Sequence, residues 1–289
     1  MTLQFRKKIM TAIILNGKRI ANEQLAQLKV EVDHLKETAN VQPSLKILMV
    51  GNNPASQVYV RNKIKRAEEV GIDATLIAFE ESCSEEDIIE KIQQLNADAR
   101  THAILVQLPL PQHLNEFRIL EAIDPKKDVD GFTSTNVGLL RQGKAYAVPA
   151  TAAGVIHLLK AYNISLKGKH AVILGRSQVV GKPLAEMLLQ EDASVTILHS
   201  QSENVKNLTK QADILISAVG KINAVTADMV KDGAVVIDVG INYDATGKLV
   251  GDVDFEKVKE KASAITPVPG SVGPMTIATL IEMVVCLAV

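Results

Sequence analysis

The segment Leu45-Lys46-Ile47-Leu48-Met49-Val50 is apolar at almost every position, the pattern of a strand covered on both faces of a sheet. Beyond it, Asn53-Pro54 offers a capping side chain followed by proline at a first helical position, and Gly71 stands where a helix would end, so a helix is predicted over 54–70. Further strand patterns fall at Ala74–Phe79 and Ala103–Gln107, then at Ala171–Leu174, Ser194–Leu198, Ile214–Ala218 and Val235–Val239. Short β-branched runs alternating with longer helical patterns predict an α/β protein with mostly parallel sheets. The strands form two groups, parted by a stretch dense in Pro, Gly, Asp and Lys from Asp124 to Pro149. Two α/β domains with a cleft between them are expected. One spans 1–149 and is rejoined by a C-terminal helix within 273–289, read as Thr276–Leu287; the other spans 150–272, its first helix starting near Thr151.

Composition narrows the function classes. The 289 residues carry a formal net charge of -1, are 47% hydrophobic and 22% charged, and include no Trp and 3% aromatic residues, so the basic stripe with stacking aromatics of a nucleic-acid binder is missing. Cys83 and Cys286 lie far apart with no metal-ligand spacing, which fits a reducing compartment. No apolar run approaches the roughly 18 residues of a membrane span; Glu282 interrupts the most apolar stretch. A cytoplasmic protein is expected. The first ten residues lack the apolar core of a signal peptide, and Met10-Thr11-Ala12 reads as an original start behind a short basic extension.

Four places can carry chemistry. On the predicted helix, Ala55, Tyr59, Lys63, Ala67 and Val70 fall in one arc, opposite Arg61, Lys65, Glu68 and Glu69. Lys63 on an apolar face is either a lysine whose ammonium snorkels to water or a desolvated lysine able to move protons near neutral pH. Tyr59 is then a core aromatic, a stacking wall or a partner in the proton network. Gln107 closes a strand ahead of Leu108-Pro109-Leu110-Pro111, at the carboxyl end where open parallel sheets bind ligands. Its amide can orient a substrate or a lysine without adding charge, or bond to loop backbone. Asp130 lies in Asp128-Val129-Asp130-Gly131, a sequence that also reads as a plain turn.

The third place is the strand Ala171–Leu174 running into Gly175-Arg176-Ser177 and, through Gly181-Lys182-Pro183, into a helix, a phosphate-binding turn in which Gly175 allows the bend and Gly181 close packing. The turn departs from G-x-G-x-x-G, with Ser177 at the second glycine position and the last glycine one residue late. It makes the second domain Rossmann-like. The next strand ends in His199-Ser200 with no acid for a ribose hydroxyl; Arg176, His199 and Ser200 instead suit a 2′-phosphate, favouring NADP over NAD. Ala218-Val219-Gly220-Lys221 and Asp238-Val239-Gly240-Ile241-Asn242 each end a strand in glycine, as cofactor-facing backbone or as simple turns. Fourth, Ile265-Thr266-Pro267-Val268-Pro269-Gly270-Ser271-Val272-Gly273-Pro274-Met275-Thr276 packs three prolines and two glycines into one stiff loop ahead of the last helix, as a connector or as a segment lying across the expected cleft.

Taken together and in order, Pro54 through Lys63, Val106-Gln107-Leu108-Pro109-Leu110-Pro111, Lys127-Asp128-Val129-Asp130-Gly131-Phe132, Gly175-Arg176-Ser177 through Lys182-Pro183, and Pro267-Val268-Pro269-Gly270 resemble the bifunctional methylenetetrahydrofolate dehydrogenase/methenyltetrahydrofolate cyclohydrolase family over nearly the whole chain. The resemblance implies a folate-binding first domain, an NADP-binding second domain, and a homodimer joined through the cofactor domains. It implies that Lys63 is the key group for hydrolysis, that Gln107 sets its protonation state, that Tyr59 stacks on the folate and shares the Lys63 network, and that Asp130 hydrogen-bonds the pterin. Pro269 and Gly270 would close over folate and nicotinamide. Gly175, Arg176, Ser177, Gly181, His199, Ser200, Ala218, Val219, Gly220 and Ile241 would bind NADP, and no metal is implied. Ala150 and Ala152 stand where the family commonly has Cys and Pro, Gln201 where many members have Lys or Arg, and Ser271 where Gly is usual. The alternatives are a non-catalytic nucleotide-binding protein of the same fold and a dehydrogenase with weak cyclohydrolase activity.

Overall fold

The computed structural model describes residues 12–289; the reading of residues 1–9 as an extension and of Met10-Thr11 as a start lies outside them. The chain runs β1 (Ile13–Ile14), α1 (Gly17–Ala39), β2 (Ser44–Val50), α2 (Pro54–Val70), β3 (Asp73–Phe79), α3 (Glu85–Ala97), β4 (Ala103–Val106), α4 (Glu116–Glu121), α5 (Ser134–Arg141) and α6 (Ala150–Ala161). It continues through β5 (His170–Leu174), α7 (Gly181–Gln190), β6 (Ser194–Leu198), α8 (Val205–Thr209), β7 (Ile214–Ser217) and β8 (Val235–Asp238). The last elements are β9 (Asn242–Tyr243), β10 (Leu249–Val250), α9 (Phe255–Val258), β11 (Ala264–Ile265) and α10 (Val272–Cys286). They form two compact units. One holds Arg19–Gly154 with Pro274–Val289; the other holds the described residues up to Lys18 with Val155–Gly273.

The three-stranded unit is a parallel sheet of order β3-β2-β4. Because strand side chains alternate, Leu45, Ile47 and Met49 of β2 enter one buried cluster with Val60, Ala67 and Val70 of α2 and Leu280, Ile281, Val284 and Val285 of α10. Leu48 and Val50 enter another with Ile88 and Ile92 of α3 and Ile119 of α4. Coverage on both faces is what makes β2 read as a continuous apolar run. The returning helix α10 thus packs in this unit. It begins at Val272 rather than Thr276, because Pro274 lies in its first turn, where a missing N–H costs no helical bond.

The six-stranded unit is parallel throughout, in the order β1-β11-β8-β7-β5-β6, with β9 and β10 as an antiparallel pair beside it. Val172, Leu174, Leu215, Val236 and Ile265 line its core. One expectation needs correcting. The expected first domain, 1–149, takes in the first residues, yet Ile13 and Ile14 pair with Ala264 and Ile265, so residues 12–18 join the six-stranded unit. A two-residue strand has no period of its own, and its partner lies at the far end of the chain.

Candidate active site

In the three-stranded unit, α2 is held at both ends as its sequence demands. The Asn53 side chain accepts the Ser56 N–H at 3.1 Å, and Gly71 takes φ 97°, donating its N–H to the carbonyls of Ala67 and Glu68. Ser56, Val60, Ala67 and Val70 form the buried stripe, while Arg61, Lys65, Glu68 and Glu69 are exposed. Tyr59 and Lys63, which the sequence puts in the apolar arc, sit at its margin, and Tyr59 keeps 37% of its surface. The side chain of Ala55 lies outside those described.

Lys63 Nζ donates to Gln107 Oε1 at 3.1 Å. Gln107 follows β4, and its Nε2 donates to the Leu108 carbonyl at 2.6 Å, so the amide is turned with its oxygen toward the ammonium. Both meanings offered for this residue therefore hold at once: it bonds loop backbone and it orients the lysine. A neutral acceptor stabilises a cation less than a carboxylate would. Burial accordingly wins, drawing the Lys63 pKa below the ordinary lysine range against the opposing pull of the Asp130 charge.

Asp130 arrives along the free edge of β4. Ile104 bridges Asp128 in parallel register, donating its N–H to the Lys127 carbonyl at 2.7 Å, and the next residues run level with the strand end that carries Gln107. Asp128, not Asp130, makes the turn: its carboxylate accepts the Thr133 N–H at 2.8 Å and the Asn136 side-chain amide at 3.1 Å. Desolvation raises the Asp130 pKa to about 6, partly offset by the Lys63 charge and reinforced by Asp128. Tyr59, Lys63, Gln107 and Asp130 thus all belong to the carboxyl-end region of one small sheet. A desolvated amine with a lowered pKa, beside a neutral amide and a carboxyl group whose pKa is raised to about 6, is an arrangement suited to proton transfer.

In the six-stranded unit the carboxyl ends of β5, β6, β7, β8 and β11 share one edge. Gly175 ends β5 at φ 116°, and a Cβ there would run into the Ala218 carbonyl oxygen; a Cβ on Gly181 would run into the Gly175 carbonyl. The turn is a bare-backbone cradle at the N-terminus of α7. The Ser177 hydroxyl accepts the N–H groups of Val180 (3.1 Å) and Gly181 (3.4 Å), which keeps its own O–H as the donor. Leu174 and Leu198 are register partners, so Gly175-Arg176 and His199-Ser200 leave adjacent strands level with each other. His199 Nδ1 accepts the Gln201 N–H at 3.2 Å, which places the proton of the neutral ring on Nε2. Arg176 and Ser200 are exposed. With bare backbone, a helix N-terminus and a guanidinium at one strand edge and no acid among residues 199–202 at the end of β6, the residues fit a dinucleotide carrying a 2′-phosphate. Ala218, Val219 and Gly220 follow β7, with Val219 42% exposed, and Ile241, 50% exposed, precedes β9.

Pro269 and Gly270 belong to this same unit. Their loop is tied down by Lys18 N–H to the Gly270 carbonyl (3.0 Å) and by the buried Ser271 hydroxyl to the Leu15 carbonyl (2.7 Å).

Family models match both halves: "Tetrahydrofolate dehydrogenase/cyclohydrolase, catalytic domain" over residues 15–130 and "Tetrahydrofolate dehydrogenase/cyclohydrolase, NAD(P)-binding domain" over 149–289. The bifunctional protein FolD of Streptococcus thermophilus is 54% identical over 271 residues, 94% of this chain and 95% of that one. The chain belongs to the tetrahydrofolate dehydrogenase/cyclohydrolase family. The crystal structure of the bifunctional methylenetetrahydrofolate dehydrogenase/cyclohydrolase from Campylobacter jejuni superposes with a TM-score of 0.94 at 46% identity, covering 96% of this chain and 98% of that one. A Trypanosoma brucei dehydrogenase-cyclohydrolase, solved with NADP cofactor and inhibitor, gives a TM-score of 0.91 at 35% identity, covering 96% and 97%.

Within this family frame, Asp238, which the sequence places only at the head of a strand-end turn, and Asp252 are not among the candidate site residues. Both are buried in the six-stranded unit and bonded to the backbone of cofactor-side loops. Their local sequence looks like ordinary turn chemistry; only the burial of charge distinguishes them. Among the described residues no group of three His, Cys, Asp or Glu is placed to hold a metal ion, and no helix is long and apolar enough to cross a membrane.

Proposed function

We propose that this member of the family oxidises 5,10-methylenetetrahydrofolate to the 5,10-methenyl compound with NADP and then hydrolyses that compound to 10-formyltetrahydrofolate. The observation that carries the reading is the Lys63–Gln107 hydrogen bond with Asp130 close by. NADP, when bound, supplies the hydride acceptor. Tyr59, exposed one turn before Lys63, offers a ring face for the folate to stack on. Asp130 holds the pterin by hydrogen bonds.

Hydrolysis follows from the lowered Lys63 pKa. The neutral amine takes a proton from the water that adds to the methenyl carbon, and the ammonium so formed returns one to N5 as the carbon–N5 bond breaks. The hydroxyl proton departs as the formyl carbonyl forms, leaving one proton released overall. Gln107 keeps the amine oriented throughout and adds no charge that would hold it protonated. Arg176, His199 and Ser200 hold the 2′-phosphate, the Gly175–Gly181 turn with Ser177 holds the pyrophosphate, and Ala218, Val219, Gly220 and Ile241 flank the rest of the dinucleotide. Pro269 and Gly270 are read as substrate-binding residues of the six-stranded unit.

The division of labour follows the two family domains, a folate-binding one rejoined by α10 and an NADP-binding one. The protein acts in the cytoplasm as a homodimer joined through the cofactor domains, and its 10-formyl product is a formyl donor of the kind purine biosynthesis consumes. The test is to mix protein with 5,10-methylenetetrahydrofolate and NADP or NAD, following reduced cofactor and the methenyl compound separately. Reduction with NADP and faster decay of added methenyl compound are expected. Reduction without faster decay would leave a dehydrogenase alone, and neither signal from folded protein would leave the non-catalytic alternative.

A further inference from the structure

The loop after β7 is built around a carboxylate from elsewhere in the chain. Asp252 is fully buried. Its Oδ2 accepts the Ser217 hydroxyl at 3.0 Å and the N–H groups of Val219 at 2.8 Å and Gly220 at 3.3 Å. Its Oδ1 accepts the Lys221 N–H and the Asn242 side-chain amide, both at 2.9 Å. Five donors on one carboxylate leave it no need of water.

Asp252 is itself held in place. Asp238, at the end of β8, accepts the N–H groups of Gly240, Asp252 and Val253, each at 2.9 Å. The two intervening glycines make room, since a Cβ on Gly251 would overlap the Asp238 carboxylate and one on Gly240 the Asp252 carboxylate. The chain therefore runs in two tiers, with Asp238 fixing the backbone of residue 252 and the side chain of Asp252 fixing the loop.

Three successive N–H groups converging on one carboxylate, with Gly220 at φ 67°, make a concave anion-binding nest. Such a nest ordinarily faces a ligand phosphate. Here the protein's own carboxylate fills it from within, and because a peptide C=O points opposite its N–H, the carbonyls of Ala218, Val219 and Gly220 are turned away from Asp252. The Ala218 carbonyl oxygen stands against Gly175, at the junction where the sheet order turns from β7 to β5. That junction is where open α/β sheets bind nucleotides.

We infer that Asp252 is a positioning residue for NADP: by occupying the nest it makes the β7 loop meet the dinucleotide with carbonyl oxygens, so that this loop takes hydroxyl or amide N–H donors of the cofactor and no phosphate. The inference rests on the reading of this unit as the NADP site. It separates two jobs at one sheet edge. Phosphates go to the β5 turn and α7, and hydrogen-bond donors go to the β7 loop.

The test is Asp252→Asn, which keeps the shape but puts an NH2 against a wall of N–H donors. NADPH binding is read by fluorescence titration, and KM for NADP, KM for methylenetetrahydrofolate, kcat and melting temperature are read separately. The expected result is a rise of about 10–100-fold in the NADPH dissociation constant and in KM for NADP, with KM for the folate unchanged. Where Asp252→Asn fails to fold, Asn242→Ala and Ser217→Ala each remove one donor and are expected to raise KM for NADP by a few fold. Equal NADPH affinity in the variant that folds and in wild type overturns the inference, as does a matched rise in both KM values, which marks a general structural loss. A wild type that binds NADPH but turns over no folate overturns the activity reading alone, because the titration still judges Asp252.

Discussion

Lys63 on α2 donates its ammonium hydrogen to Oε1 of Gln107 at 3.1 Å, so a buried cation is met by a neutral amide from the end of β4. Had a carboxylate stood in that place, its charge would have countered the desolvation that lowers the lysine pKa. The pairing keeps the amine available as a base.

Replacing Lys63 with Met preserves much of the stem and removes the base. The hydrolysis rate of added methenyl compound is expected to fall by about 10²–10⁴-fold, the usual worth of a positioned acid–base group, with NADPH affinity and melting temperature near wild type. An unchanged rate would show that the proton is moved by another group.

Asp130 gives the pH dependence. Its folded pKa is raised to about 6 from the ordinary 3.8, so between those values the folded protein binds the proton more readily than the unfolded chain. The cost of burying its charge is therefore fully present above about pH 6 and is relieved as the pH falls below it. KM for the folate is expected to climb as the pH is lowered through 6, as the carboxylate that binds the pterin is lost. Asp130→Asn should bind folate weakly at pH 7.5 and show a flat profile across that range. A wild-type KM that does not vary between pH 5 and 7.5 would remove Asp130 from the pterin site.

Arg176 is the guanidinium that leaves β5 level with His199-Ser200 at the end of β6. Loss of a charge-assisted bond to a 2′-phosphate costs about 1.5–3 kcal/mol, so Arg176→Ala should lower kcat/KM with NADP by about 10–100-fold and hardly touch that with NAD. Equal losses for both cofactors would place Arg176 outside the 2′-phosphate site.

Ser271 ties the proline loop to the Leu15 carbonyl at 2.7 Å from a fully buried position. Ser271→Gly removes that bond and frees the backbone, together about 1–2 kcal/mol, and should lower the melting temperature by a few degrees while speeding hydrogen exchange in residues 267–271. Unchanged exchange there would mean that the Lys18 N–H to Gly270 carbonyl bond suffices to hold the loop.

What was legible in the sequence follows the range of the interactions involved. The caps of α2 at Asn53 and Gly71 are local, and they stand where their residue types put them. Lys63, Gln107 and Asp130 were legible as candidates through helix phase and strand ends, but the bond from Lys63 to Gln107 needs a sheet to bring 44 residues of separation to 3.1 Å. The helix α1 is less legible: Ile20, Gln24, Leu28 and Val32 recur at helical spacing and are buried, but a polar residue sits in the stripe. Asp252 was illegible for a different reason. Its partners at Ser217, Val219, Gly220 and Lys221 lie more than thirty residues upstream, and an Asp after a Gly signals nothing beyond a turn.

The pairing of β1 with β11 bears on the order in which the protein can finish folding. Synthesis delivers Ile13 and Ile14 first and their partners Ala264 and Ile265 some 250 residues later, and the three-stranded unit likewise awaits α10 to close the cluster around Leu45 and Ile47. At roughly 5–20 residues per second, more than ten seconds pass on the ribosome between the two halves of that pairing. Neither unit can complete its core before β11 and α10 have been made, and β2, apolar along most of its length, stays short of its final cover until then. A nascent chain of this design depends on holding such strands apart from their neighbours until the last turn of α10 has left the exit tunnel.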